Sequence, residues 1–288
     1  MLLDILANFD WNRPISFSTG GVYDPENIFY LTDYLQYDGF SYRLVPIATN
    51  ASENAEMGRV NPDILYRNVK NFRWGNFKDL DVHFDETCTQ NIPVYRGAAS
   101  RAAEALALSG QKSKALEVMD LASREIPSTK YNDPRSLSSM VYGYMIAGQE
   151  KKGLALAEQI KEGIFEEYDY YMSMDKDQQR FASRQLRSKP FEYSMVVAAV
   201  SDAYRKMGRL DKGYDYTIRS MEPLDKRYRK LISDLQAMGK QKAYGQTGQV
   251  ENIVPFYHYL IEVVNPYDST FGPEKLKQIE TELIQVTQ

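Results

Sequence analysis

Ser109-Gly110-Gln111-Lys112-Ser113-Lys114-Ala115-Leu116, Ala147-Gly148-Gln149-Glu150-Lys151-Lys152-Gly153-Leu154 and Met207-Gly208-Arg209-Leu210-Asp211-Lys212-Gly213-Tyr214 are one pattern written three times. Each places Lys four residues after the Gly and a small residue, Ala or Gly, five residues after it. The pattern predicts a pair of antiparallel helices. A first helix ends at the Gly, which takes the left-handed conformation that closes a helix. A short polar turn follows. A second helix then starts, with a small residue where the two backbones must approach closely.

The flanks agree with this reading. Ala99, Ala102, Ala103, Leu106 and Ala107 recur at helical spacing before Gly110. Ala115, Leu116, Val118, Met119 and Ala122 do so after it, and Pro127 stops the second helix. The units are irregular: 38 residues separate Gly110 from Gly148, and 60 separate Gly148 from Gly208. The surplus lies in Glu166 to Pro190, read as an extended second helix plus the charged connection Met174-Asp175-Lys176-Asp177-Gln178-Gln179-Arg180.

Gly110, Ala115, Ala122 and Pro127 stand at the relative spacings of the tetratricopeptide (TPR) signature. Tyr144 and Tyr204 lie four residues before their glycines, where that signature also has Tyr, and Leu106 fills the place in the first unit. The repeats therefore resemble TPR units, whose first helices line a concave face. By that likeness the face carries Glu104, Arg135, Tyr142, Asp202 and Arg205. Arg and Tyr are common interface anchors; the bland reading is ordinary exposed helix residues.

The two ends read differently. Pro14-Ile15-Ser16-Phe17-Ser18 and Tyr42-Arg43-Leu44-Val45-Pro46-Ile47 predict short strands. Between them, Asp24 to Tyr37 predicts a helix, with Pro25 in its first turn and Gly39 after its end. A two-stranded ribbon laid against helices follows. Asn61-Pro62-Asp63 starts another helix, running to about Asn71. Leu224 to Met238 predicts a long basic helix, Gly239, Gly245 and Gly248 a loop, and Val254 to Val264 and Pro273 to Val286 two closing helices. The fold class expected is mainly α: a TPR-like stack of helical hairpins with a small N-terminal α/β, two-stranded segment.

Composition narrows the function. With 288 residues, 43% hydrophobic and 26% charged, the chain can bury a core without a disulfide or metal staple. A formal net charge of -4 argues against nucleic acid as partner. The lone Cys88 forms no internal disulfide and reads as a small, half-buried hydrophobe. The longest apolar run, Met195 to Val200, is far shorter than the ~20 residues a bilayer needs. Met1-Leu2-Leu3-Asp4 lacks the basic start of a signal peptide, so the chain read alone points to the cytoplasm. The 22 tyrosines suit helix packing first, and sugar or peptide binding second.

Chemistry-bearing clusters are sparse. His83, Asp85, Glu86 and Cys88 fall within six residues, with His83 and Asp85 on one strand face, but no second ligand pair completes a zinc set. The bland reading is a polar loop before a helix. His258, among Phe256, Tyr257 and Tyr259, reads as a packed or hydrogen-bonded residue at the edge of the core. Gly20-Gly21 reads as a turn, although a glycine pair after a strand could cradle a phosphate. The carboxylate pairs Asp24 with Glu26, Asp79 with Asp81 and Glu166 with Glu167 read as solvated surface, because sequence alone cannot set two carboxyls at a glycosidase separation. No catalytic residue, metal or cofactor is expected.

The N-terminal landmarks carry a more specific likeness. Leu3-Asp4-Ile5-Leu6-Ala7-Asn8 and Trp11-Asn12-Arg13-Pro14-Ile15-Ser16-Phe17 resemble the DIIANNxWxRPIYF stretch of a bacterial family of polytopic membrane proteins. That family was first described as of unknown function and is now grouped with protein O-mannosyltransferase-like glycosyltransferases. Tyr34 to Pro46, Met57 to Tyr66 and Phe72-Arg73-Trp74-Gly75-Asn76 resemble its later landmarks. The likeness is dense over residues 1–110 and looser beyond. Trp11, Arg13, Pro14, Arg43 and Trp74 carry it. They would pack the N-terminal ribbon onto a membrane block or fill a local core, with an Arg stacked on a Trp in either case.

The resemblance implies that this chain is the extracytoplasmic part of a longer membrane protein, and that Met1 is an internal residue. It implies the membrane domain of the same parent as partner, together with an acceptor protein or glycan. The function expected is a non-catalytic helical-repeat region of a membrane glycosyltransferase, which positions an acceptor or braces the membrane domain. The alternatives are a free-standing, cytoplasmic TPR-like adaptor that binds a peptide, and a carbohydrate-active enzyme. The domains expected are a family-specific segment at 1–88, TPR-like repeats at 89–240 and closing helices at 241–288.

Overall fold

A computed structural model describes residues 2–19, 31–48, 57–238 and 248–287. The chain is mainly α-helical with a small antiparallel sheet near its N-terminus. It divides into two compact units, Met1–Lys130 and Tyr131–Gln288. The first pair of the repeat pattern therefore belongs to the same unit as the N-terminal segment.

In the first unit, α1 (Leu2–Ala7) precedes a three-stranded sheet of β1 (Ser16–Ser18), β2 (Leu35–Tyr37) and β3 (Ser41–Leu44), in the order β1-β3-β2. Both pairings are antiparallel, with Phe17 and Tyr37 each opposite Tyr42. The strands expected over Pro14–Ser18 and Tyr42–Ile47 are present in shorter form, as Ser16–Ser18 and Ser41–Leu44. The helix expected up to Tyr37 is not: Leu31–Tyr34 forms a 3-10 turn and Leu35–Tyr37 is the third strand. Gly39, at φ +112°, turns β2 into β3 rather than closing a helix, and the Asp38 N–H donates to the Ser41 carbonyl at 2.9 Å. The other edge of β2 is also occupied, because Tyr37 donates to the Arg59 carbonyl and Arg59 to the Leu35 carbonyl. Leu35, Gln36 and Tyr37 are consequently all buried. The Asp24–Tyr30 part of the expected helix, Gly20-Gly21 and the Asp24–Glu26 pair lie outside the described residues.

Helix α2 (Pro62–Lys70) opens as expected, with the Asn61 side chain accepting from the Ile64 N–H at 3.1 Å. The short α3 (Glu86–Thr89) leads into α4 (Ile92–Leu108) and α5 (Lys112–Glu125), an antiparallel pair on which α2 packs. Arg101 of α4 ties the sheet to this layer. Its guanidinium lies 4.0 Å from the Tyr37 ring centroid and donates to the carbonyls of Met57 and Gly58.

The second unit holds α6 (Pro134–Ile146), α7 (Glu150–Ser173), α8 (Lys176–Phe181), α9 (Ser183–Lys206), α10 (Leu210–Arg219), α11 (Glu222–Met238), α12 (Gly248–Val264) and α13 (Phe271–Thr287). The charged connection expected at Met174–Arg180 holds the short α8, and α9 then runs through Pro190, which lies buried inside it. Packing holds the helix through its missing donor: next to Pro190, Lys189 is pinned between Glu167 of α7 and Glu192 of α9. The first closing helix begins at Gly248, ahead of the expected Val254. Gly239 and Gly245 lie outside the described residues.

Gly110, Gly148 and Gly208 stand between α4 and α5, α6 and α7, and α9 and α10, at φ +81°, +87° and +72°. In each case the next residue's N–H reaches back to the carbonyl four residues before the Gly: Gln111 to Leu106 at 2.7 Å, Gln149 to Tyr144 at 2.9 Å and Arg209 to Tyr204 at 2.8 Å. This is the Schellman closure, and an L side chain at φ > 0 would strain it. The small residues sit where the paired helices touch. Ala115 is fully buried. A Cβ on Gly153 would lie 3.1 Å from the Val141 carbonyl of α6, and one on Gly213 3.2 Å from the Ser201 carbonyl of α9.

The core of this unit is aromatic. Phe165 and Tyr168 of α7, Tyr193 of α9 and Phe256 of α12 pack with ring centroids 4.9 to 5.8 Å apart. Burial and the neighbouring Asp169 push the Tyr168 hydroxyl far above the usual tyrosine range.

Candidate functional site

Three helices of the second unit stand side by side: α6 packs on α9, and α9 on α12. Helices α7 and α10 back α9, so the opposite face of α9 is available for contact. A row of side chains crosses that face. The Arg135 guanidinium of α6 lies 5.4 Å from the Phe191 ring centroid of α9. Phe191 in turn meets Tyr259 of α12 edge-on, with centroids 5.6 Å apart. Phe191 is 38% exposed, unusual for a ring touching two neighbours.

Helical periodicity extends the row along each helix. On α6, Ser139 and Tyr142 follow Arg135 at four and seven residues, on the same side. On α9, Met195, Ala198, Asp202 and Arg205 follow Phe191 at four, seven, eleven and fourteen. Asp202 and Arg205 pair at 2.7 Å with about half of each side chain open to solvent. An exposed ion pair of this kind contributes little to stability, so an incoming group can exchange with it cheaply. The face thus combines three aromatic rings, two guanidiniums and a carboxylate on a packed helical floor.

Arg135, Tyr142, Asp202 and Arg205 therefore fall on one face. Glu104 belongs to the first unit, half-buried on α4. Sequence reasoning missed Phe191 and Tyr259. Phe191 lies more than a dozen residues before the glycine that anchors its unit, and only extending the periodicity of Asp202 backwards along α9 would have found it. Tyr259 was read merely as part of an aromatic run.

The family landmarks separate into two groups. Trp74 is buried in a cluster with Phe72, Phe77 and Tyr95 and fills a local core. Arg43 pairs with the buried Asp38 at 2.6 Å, beside Gln36, and so braces the β2–β3 turn. Trp11 is 52% exposed and sits at φ +64°, a strained conformation for a bulky residue, with its ring 4.6 Å from that of Phe9. Arg13 and Pro14 are exposed beside it.

Several chemical expectations change. Cys88 is exposed, not half-buried, because the short α3 lies open to solvent. His258 is exposed, since the buried side of α12 is taken by Phe256 and Tyr257. Residues 82–85 form no strand, so His83 and Asp85 share no strand face. Asp85 instead caps α3, and the Cys88 N–H donated to its carboxylate at 2.8 Å holds that carboxyl below its usual value. Among the described residues no group of three or more His, Cys, Asp or Glu is placed to hold a metal ion. Asp79 accepts from the Asp81 N–H, and Glu167 pairs with Lys189. Among the described residues no helix is long and apolar enough to cross a membrane.

Residues 1–64 match a family model described as TMEM260-associated domain 2. The match includes Trp11, Arg13, Pro14 and Arg43 and stops short of Trp74 and of every helix pair. No curated protein and no solved structure matches the chain.

Proposed function

We propose that this chain is a non-catalytic, extracytoplasmic region of a membrane glycosyltransferase of the O-mannosyltransferase-like kind, and that the face formed by α6, α9 and α12 holds the acceptor. The reading of the parent rests on residues 1–64, which match the TMEM260-associated domain; TMEM260 is itself a protein O-mannosyltransferase. The reading of the face rests on one observation, the Arg135–Phe191–Tyr259 row. Aromatic and Arg side chains on a rigid floor lose little entropy when a partner packs on them. An extended acceptor segment would lie across the row, with its backbone carbonyls on Arg135 and Arg205 and an amide on Asp202.

The test uses the 288-residue chain and a panel of Ser/Thr-rich peptides, bare and carrying one mannose. Phe191→Ala with Tyr259→Ala lowers peptide affinity by about tenfold or more, with helical content unchanged by circular dichroism. Peptide binding that survives both substitutions refutes the assignment of the face. A free-standing peptide adaptor would use the same face. It is distinguished by an unaltered transferase activity in cells when Phe191 and Tyr259 are changed in the parent gene.

A bracing role has its own observation. Trp11 is presented to solvent at a strained backbone position, beside Arg13 and Pro14, inside the matched segment. A large ring held outward in this way fits a surface supplied by the membrane domain of the parent. Trp11→Ala is expected to lower transferase activity while leaving peptide binding on the α6–α9–α12 face unchanged.

A further inference from the structure

The turn between α7 and α9 carries the most exposed large hydrophobic residue described in the chain. Phe181, the last residue of α8, is 89% exposed. Local fraying does not account for it, because the turn is built. Asp175 accepts from the Gln178 N–H at 2.9 Å while the Gln178 side chain accepts from the Asp175 N–H, a complete capping box. The Gln179 amide then donates to the carbonyls of Met172 and Met174, both at 3.0 Å, which ties α8 back to the end of α7. Phe181 is thus held outward on an ordered platform.

Its surroundings are basic. Arg180 precedes it, and Arg184 and Arg187 follow on one side of α9, three residues apart. All three are exposed, and no carboxylate among the described residues pairs with them. From Asp175 to Arg187 the chain carries four basic and two acidic residues, within a protein of formal net charge -4. Tyr170, on the last turns of the helix leading into this tip, is 62% exposed, with its ring tilted against that of Tyr171 at 5.7 Å between centroids.

We infer that this tip docks on an anionic phospholipid surface. Phe181 enters the boundary between headgroups and acyl chains, while Arg180, Arg184 and Arg187 bind the phosphates around it. Charge complementarity selects an anionic partner, since the tip reverses the sign of the whole chain. The protruding ring selects lipid over a folded acidic protein. A protein would need a preformed pocket to cover it, whereas a bilayer interface yields around an inserted side chain, and guanidiniums snorkel to its phosphates. One ring and three cations give a weak, reversible and salt-sensitive contact. Arg184 and Arg187 continue the Phe191 stripe of α9, but Arg180 and Phe181 lie on α8, outside the α6–α9–α12 face, and vesicle binding is read without any peptide, so this inference is tested separately from the acceptor reading.

The experiment is cosedimentation of the 288-residue chain with phosphatidylcholine vesicles, with and without about a third of phosphatidylglycerol. Binding is expected only to the anionic vesicles, weakening as salt rises. Each Arg→Gln substitution at 180, 184 or 187 lowers partitioning by about fivefold, and Phe181→Ser by roughly tenfold or more, with helical content unchanged. Phe181→Trp supplies a second readout, in which brominated lipid quenches the new indole and Trp11 and Trp74 emission in the parent chain provides the baseline. The inference is overturned if neither vesicle binds, if both bind equally, or if Phe181→Ser binds like the parent. It is equally overturned if polyglutamate binds through the arginines while the vesicles do not.

Discussion

Two glycines on one helix offer a matched test of how closely α6 and α7 approach. Gly153 and Gly163 both lie inside α7, so replacing either with Ala removes the same backbone freedom from the unfolded chain, worth about 0.5–1 kcal/mol in favour of folding. At Gly163 the added methyl meets no heavy atom within 4 Å, and the full gain is expected. At Gly153 the methyl would stand 2.5 Å from Met145 Cγ, 3.1 Å from the Val141 carbonyl oxygen and 3.4 Å from the Met145 nitrogen. Met145 can swing aside. The Val141 carbonyl cannot, because it belongs to the backbone of α6, so the helices must part. Overpacking of this kind costs about 1–3 kcal/mol. The two variants should therefore differ by about 1–3 kcal/mol, with Gly163→Ala above the parent and Gly153→Ala at or below it. For a protein of this size that gap is several degrees in midpoint, at about 2–4 °C per kcal/mol. Thermal unfolding followed at 222 nm reads it directly. If Gly153→Ala melts as high as Gly163→Ala, the two helices are not in backbone contact there and the pairing is wrong.

Gly148→Ala should lose about 1 kcal/mol in urea titration, because Ala resists φ +87°, and Gly148→Asn should lose less. Lys189 is buried, and although burial works against its charge, Glu167 and Glu192 outweigh it and hold its pKa above the usual lysine value. Lys189→Met leaves Glu192 buried without a cation and should cost about 2–4 kcal/mol in the same titration, part of which returns in Lys189→Met with Glu192→Leu. Glu150 is held below the usual carboxylate range, first by Arg209 and then by Tyr204. A lowered folded pKa means that its contribution is complete above the unfolded value of about 4.5 and is lost as pH falls through the folded one. Glu150→Gln should therefore lower the melting midpoint at pH 7 and have no effect near pH 2, with an effect under about 1 kcal/mol because a third of the side chain is exposed. Tyr204 is pushed up to about 12 by burial and by Glu150, so its contribution is complete below the unfolded value of about 10 and is lost as pH rises from there through about 12, as titration of its ultraviolet absorbance would report.

The helix pairs were legible because their punctuation is stereochemical. Only glycine enters φ +72° to +87° without strain, and only a small residue fits where two helix backbones meet, so Gly110, Gly148 and Gly208 with Ala115, Gly153 and Gly213 announce the pairs whatever surrounds them. The third strand was not legible. Leu35, Gln36 and Tyr37 are buried on both sides, so they show no alternation, and a glycine after an apolar run serves a hairpin turn as readily as a helix end. Pro190 runs against local preference, which disfavours a proline inside a helix, yet α9 continues through it, buried beside the Lys189 that pairs with two carboxylates. In the candidate site, Arg135, Tyr142, Asp202 and Arg205 could be placed from the distance to their glycines. Phe191 could not, because its exposure is decided by which neighbours fail to cover it, and that is a property of α6, α9 and α12 together.

The glycine closures also bear on the order in which the molecule assembles. Each closure joins residues five apart, and each helix pair meets within a few dozen residues, so α6–α7 and α9–α10 can form before distant segments find one another. Strand β1 has no such advantage, since Ser16 must find Arg43 across 27 residues of chain before β1 has a partner. Helical signal at 222 nm should thus return early in refolding, ahead of the protection of the β1 amides from hydrogen exchange.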